Sequence, residues 1–253
     1  MLFDTHAHLD DPVFDGDREE VIASLALCGV GLVLNPGADP EGCEKAVELA
    51  EKYSFIYAAV GIHPQYANEL PENYIEKLRA LAKSSEKVKA IGEIGLDYHY
   101  KPVNKEAQIA LFESQMELAK ELSLPVIIHT RDAYADTLEV LKKYPTIPKV
   151  VHCFSGNLEN AKELVAMGCH ISFTGVITFK NAVKFEEILR FMPRDRLFFE
   201  TDSPYLSPEP VRGTRNDPRN VRYIVEKAAQ TIGADSEDLA ALSTENAKRF
   251  FGI

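Results

Sequence analysis

No apolar run in the chain approaches the roughly 18 residues of a membrane helix, and the first residues, MLFDTHAH, lack the basic-then-apolar order of a secretory leader. A cytoplasmic protein with no membrane partner is expected. Cysteine is sparse: Cys28, Cys43, Cys153 and Cys169 show no C-x-x-C spacing, so neither a zinc knuckle nor a disulfide framework is implied. Reduced thiols packed as small hydrophobes are expected instead. Positive charge is short too, with 28 Lys and Arg against 39 Asp and Glu. The resulting net charge of -11 argues against nucleic-acid binding over the whole surface, but not against a locally cationic site.

Linkers, low-complexity tracts and composition shifts are also missing, so residues 1–253 read as one domain. What fills the chain is a repeating pattern. Apolar, β-rich runs recur at LFDTH (2–6), GVGLVLNPG (29–37), FIYAAVGIH (55–63), VKAIGEIGLD (88–97), LPVIIHT (124–130), KVVHCFSG (149–156), HISFTG (170–175) and RLFFETDSP (196–204). Helix-period segments such as EGCEKAVELAEKY and KEAQIALFESQMELAKELS lie between them. Strands with near-continuous apolar character alternating with helices predict a parallel sheet covered by helices. At this length eight repeats close most simply into a (β/α)8 TIM barrel. An open doubly wound sheet is disfavoured, because no G-x-G-x-x-G follows the first strand.

Active sites in such barrels lie at the C-terminal ends of the strands. Those ends carry His6 and His8, His63, Glu93, His129, His152 and Asp202. Five of the chain's seven histidines therefore fall at strand ends. In an extended strand residues i and i+2 share a face, so His6 and His8 point the same way. The same rule sets Glu93 above Ile91, His129 above Ile127 and His152 above Val150, and it turns Cys153 outward toward the helices. A lone histidine or glutamate at a strand end is ordinary; so many metal-compatible groups on one rim are not. Four imidazoles and two carboxylates exceed the needs of one tetrahedral ion with an open position. They suit two divalent ions, zinc, manganese or magnesium, with Glu93 as the bridge. His6, His8 and Asp202 would hold one ion, and His129 and His152 the other.

The stretches DTHAHLD, VGIHPQYA, AIGEIGLDYHY, PVIIHTRDA, VVHCFSGN, ISFTGVITFKNA, ETDSPYL and RGTRNDPRNV cover the chain from end to end. In them the sequence resembles the TatD family of metal-dependent hydrolases, within the amidohydrolase-like barrels. The resemblance implies phosphodiester hydrolysis, as in deoxyribonucleases that trim DNA ends, with the same six residues as metal ligands and His63 near the substrate phosphate. Many amidohydrolase relatives bridge their ions with a carboxylated lysine. Here Lys87 and Lys89 stand at the start of the fourth strand, the wrong end, so the bridge is a carboxylate.

On this reading a water activated between the ions attacks phosphorus, and Asp202 takes or shuttles its proton. Phosphate contacts are expected from Arg131, Lys180, Arg212 and Arg215, while Arg219 and Arg222 serve equally as solvated loop charges. Asp4 and Glu200 are expected together one layer below the ligands, where burial would keep one of them protonated or bind both to ligands. Tyr66, Tyr98, His99, Tyr134, Phe154 and Tyr205 are rim candidates for base stacking. Two other readings stay open: hydrolysis of an ester or amide, such as an aminoacyl-RNA or nucleotide derivative, and a non-hydrolytic, metal-containing barrel that binds nucleic acid. A monomer is expected.

Overall fold

A computed structural model describes all of residues 1–253. Its strands are β1 (Leu2–Asp4), β2 (Val30–Pro36), β3 (Ile56–Val60), β4 (Val88–Asp97), β5 (Val126–Arg131), β6 (Lys149–Val151), β7 (His170–Phe173) and β8 (Leu197–Phe199). They lie in that order in one parallel eight-stranded sheet. The helices are α1 (Arg18–Ser24), α2 (Pro40–Lys52), α3 (Tyr74–Ser84), α4 (Lys105–Leu122), α5 (Tyr134–Lys142), α6 (Leu158–Ala166), α7 (Lys184–Phe191), α8 (Val221–Ile232) and α9 (Ser236–Phe251). The fold is a (β/α)8 TIM barrel.

The seam between β8 and β1 is closed beyond the strand ends. Thr5 N donates to Phe199 O at 3.4 Å, Asp202 N to His6 O at 2.9 Å and His8 N to Ser203 O at 2.8 Å. His6 and His8 thus stand just past β1, whose ladder stops at Asp4, on backbone tied to the segment after β8. This stitching fixes two histidines and one aspartate relative to each other before any side chain is considered.

Period-2 alternation divides the apolar residues between two cores. Leu34, Ala59, Ala90, Ile127, Val150 and Phe198 fill the lumen, while Val33, Val60, Ile128, Val151 and Phe199 meet the helices. Ala247 and Phe251 of α9 join the lumen cluster beneath Phe3 and Phe198. A ninth helix follows the eight repeats and plugs the floor, so only the opposite mouth is open for chemistry. It starts where Asp235 accepts hydrogen bonds from Glu237 N at 2.8 Å and Asp238 N at 3.1 Å, an N-cap worth about 1 kcal/mol. No helix is long and apolar enough to cross a membrane.

One expectation fails inside β4. The register runs Ile91 to Val126 but Ile94 to Ile128, so β4 holds one residue more than β5 over this span. The inserted residue inverts the alternation. Ala90, not Ile91, lines the lumen below Glu93, and Ile91 packs outward against the helices. Gly95 belongs to the same irregularity: its φ is +143°, and a Cβ there would lie 2.0 Å from His129 O. Only glycine lets β4 come this close to β5.

Candidate metal centre

Glu93 is buried at the centre of the mouth, and its two carboxylate oxygens face two different sets of donors. Oε2 lies 3.3 Å from His6 Nε2 and 3.6 Å from His8 Nε2. Asp202 Oδ1 completes this set at 3.8 Å from His6 Nε2 and 3.7 Å from His8 Nε2, which are themselves 3.1 Å apart. Oε1 lies 2.8 Å from His129 Nδ1 and 2.7 Å from His152 Nε2, with 3.3 Å between those two nitrogens. A tetrahedral ion with bonds of about 2.1 Å sets neighbouring ligand atoms about 3.4 Å apart. The observed edges bracket that value. Converging lone pairs at such distances repel unless protons or a cation lie between them, so the donor set fits metal ions.

Charge in the cluster follows the same geometry. Burial works to raise the Glu93 carboxyl, but His152 beside it and hydrogen bonds from His129, His152 and His6 prevail and hold it well below the usual range. Burial lowers His6, helped by neighbouring His152. Burial also opposes charge on His152, yet Glu93 and Glu200 push its pKa well above the ordinary imidazole value. Asp202 is raised by burial against the pull of His6, His152 and His8. The carboxylate at the centre thus stays ionised, as a metal ligand must.

Support comes from Glu200, expected beneath the ligands, and from two residues the sequence reading overlooked. Asp97, four positions beyond Glu93, has Oδ2 3.0 Å from His129 Nε2, opposite the ring nitrogen that faces Glu93. Asp10 Oδ1 lies 3.9 Å from His8 Nδ1 and accepts from Asn35 Nδ2 at 2.7 Å. Glu200 Oε1 lies 3.4 Å from His152 Nδ1 and accepts from Cys153 N at 2.7 Å. Asp4 is buried within electrostatic reach of Glu200, as expected, but does not face the ligand side chains. Because β1 ends at Asp4 and Phe3 takes the lumen position, Asp4 turns the other way and accepts from Thr201 N at 2.9 Å and Thr201 Oγ1 at 2.6 Å. The pair divides its charge: burial drives Asp4 well above its ordinary value, while Glu200, also opposed by burial, is held below its own by the hydrogen bond with His152.

Cys153 is a second departure. A φ of +43° ends the extended run after β6 and brings Sγ within 3.7 Å of Thr174 Oγ1 at the rim, rather than into the helix layer. Burial and the nearby Asp202 push its thiol well above the ordinary range, so it is a neutral neighbour of the cluster.

The other predicted contacts separate by their partners. His63 is buried with Nε2 3.7 Å from Glu93 Oε1, and its Nδ1 accepts from Gln65 N at 3.2 Å, which leaves the proton on Nε2. Burial pushes its pKa down to about 3. Arg212 stacks on Phe179 with 4.0 Å from guanidinium to ring centroid and has no carboxylate partner. Arg131 donates to Tyr100 Oη at 3.3 Å, and Lys180 is exposed. Arg215 is not free: it grips Asp17 with Nη1 and Nη2 at 2.8 and 2.6 Å and stacks on Phe14. Arg219 is likewise paired to Asp217. Tyr98 and Phe154 are buried, and Tyr134 is half-buried with its hydroxyl on Ser155 N, so packing accounts for all three. Tyr205 and His99 are exposed.

A parallel barrel whose mouth gathers four imidazoles and two carboxylates, in overlapping groups of three with ligand atoms within 4.8 Å of one another, is built as a metal-dependent hydrolase. The chain belongs to the TatD family: the family model described as TatD related DNase matches residues 3–252. It is 44% identical over 255 residues to the uncharacterized metal-dependent hydrolase YabD of Bacillus subtilis, covering all of both chains. It is 36% identical to the 3'-5' ssDNA/RNA exonuclease TatD of Cronobacter sakazakii, over 99% of this chain and 97% of that one. Among solved structures, the TatD homolog YJJV of Escherichia coli superposes with a TM-score of 0.94 at 32% identity, over 100% of this chain and 98% of the other.

Proposed function

We propose that this hydrolase holds two divalent ions and removes nucleotides from the ends of single-stranded nucleic acid, with DNA the preferred substrate. The observation that carries the proposal is the division of Glu93, with one oxygen toward His6 and His8 and the other toward His129 and His152. His6, His8, Asp202 and Glu93 would hold one ion, and Glu93, His129 and His152 the other. Bound there, divalent ions acidify water and polarise a phosphate. Imidazole-rich ligation suits zinc or manganese; magnesium would retain more water.

The protein's own groups supply the rest. Asp202, beside His6 and His8 with its side chain still 15% exposed, is placed to accept the proton of the attacking water. His63 stays neutral near pH 7 and offers Nε2–H to a phosphate oxygen. Arg131, Lys180 and Arg212, which have no carboxylate partners, extend the phosphate path; Arg215 is bound to Asp17 and contributes to the loop instead. A local cationic mouth reconciles a nucleic-acid substrate with a net charge of -11.

Four free cysteines fit a cytoplasmic enzyme. Exposed large apolar residues scattered from Val13 to Leu242 fit a monomer. The activity is tested with an end-labelled single-stranded oligonucleotide, DNA or RNA, supplied with zinc, manganese or magnesium. Stepwise shortening that Asp202→Asn abolishes is the expected result. No shortening of either polymer with any of the three metals would reject it.

A further inference from the structure

Most aromatic side chains around the mouth are occupied. Tyr98 and Phe154 are buried, and the exposed ring of Tyr100 already packs against Arg131, 5.3 Å from its centroid, and His99, 5.1 Å away. Tyr205 differs. The residue is 55% exposed, and its one aromatic contact is edge-on with His8 at 6.5 Å.

An exposed ring is normally mobile, but this one is held at three points. Its hydroxyl donates to Asp11 Oδ2 at 3.0 Å, across the gap between the segment after β1 and the segment after β8. Its backbone N–H donates to Asp202 O at 3.0 Å. Its carbonyl accepts from Asn216 Nδ2 at 2.6 Å, and Asn216, fully buried, also donates to Thr201 O at 3.0 Å. Burial and Asp11 push the phenol up to about 12, so the hydroxyl remains a donor and the anchor persists at neutral pH. The result is an ordered apolar face three residues from Asp202, in contact with His8, with no side chain stacked on it. Holding such a face open to solvent gains nothing for folding, whereas a flat partner on it would bury apolar area without an ordering cost.

We propose that Tyr205 is the stacking platform for a base of the terminal nucleotide, and so fixes which phosphodiester bond lies over the cluster. The inference rests on the nucleic-acid reading above. Stacking on a π face is tolerant of base identity, so the platform recognises the presence of a base rather than its sequence.

The test compares a single-stranded DNA oligonucleotide with the same oligonucleotide carrying an abasic terminal residue, using wild type, Tyr205→Ala and Tyr205→Phe. Loss of one stacked base is expected to lower wild-type kcat/KM by about 5- to 150-fold. Tyr205→Ala should lose a similar factor on the normal substrate and little further on the abasic one, because the two changes remove the same contact. Tyr205→Phe keeps the ring but loses the Asp11 anchor, so its activity should fall between wild type and Tyr205→Ala. Equal wild-type rates on both substrates would overturn the inference while leaving the nuclease intact. So would equal losses on both substrates in Tyr205→Ala, or a Tyr205→Phe variant as impaired as Tyr205→Ala. A wild type that cleaves neither substrate removes the nucleic-acid reading, and the inference with it.

Discussion

Asp97 and His129 form a carboxylate–imidazole pair at 3.0 Å that leaves Nδ1 of the same ring 2.8 Å from Glu93. The ring is therefore clamped: Nε2 faces Asp97, and Nδ1 faces the cluster, where it would serve as the metal-binding nitrogen. His129 is the one member of the set that presents Nδ1 rather than Nε2. That choice of nitrogen is explained by the position of Asp97 behind it.

Replacing Asp97 with Asn should weaken that orientation without emptying the site. Affinity for the more weakly held of two ions is expected to fall about 10- to 100-fold, read by calorimetric metal titration. Unchanged affinity for both ions would show that packing alone orients His129.

The barrel and the members of the cluster were legible in the sequence for one physical reason: a parallel strand buried on both faces is apolar until its end, so the first polar residues at the mouth stand out. His129 and His152 even followed the alternation, two positions above Ile127 and Val150 of the lumen. Glu93 reached the same place by a different route, because the extra residue in β4 breaks the alternation on which its position had been inferred. Nothing in a single sequence marks that bulge except its glycines. Asp97 was hidden because it reads as an ordinary strand-end carboxylate, and α9 because the repeat count was already complete at eight. The pairing of Arg215 with Asp17 joins residues 198 positions apart and has no local signature.

The β4 irregularity makes Gly95 indispensable. Gly95→Ala would place a methyl group against His129 O at a backbone angle that side chains rarely adopt, and should cost more than about 2 kcal/mol. Urea unfolding measures this; wild-type stability would mean that β4 and β5 separate easily.

The two arginines of the RGTRN stretch should behave oppositely. Arg212→Ala is expected to raise KM for an oligonucleotide several-fold with only a small change in melting temperature, since its guanidinium has no acidic partner and packs only on Phe179. Arg215→Ala should lower the melting temperature and leave KM nearly unchanged, because its charge is spent on Asp17. The reverse pattern in steady-state kinetics and thermal melts would reassign the phosphate path.

At the far end of the barrel, His170 stacks on Phe198 and packs at a tilt against Phe250, and burial, with Arg196 nearby, pushes its pKa down to about 4. An unfolded chain takes up this proton near pH 6.5, whereas the folded chain does so only near the lowered value. The unfolded state thus binds more protons between these values, and stability falls as the pH drops through that window. His170→Phe should flatten this part of the melting-temperature profile. A profile with the same slope in the variant would assign the acid sensitivity to other groups.

The central claim is that Glu93 joins two ion sites, and metal content tests it most directly. Purified wild type, loaded with zinc or manganese and freed of excess ion, should hold two equivalents per chain by elemental analysis, and Glu93→Ala should lose at least one while its circular dichroism stays that of the folded barrel. A folded Glu93→Ala protein that retains the wild-type metal content would contradict the account.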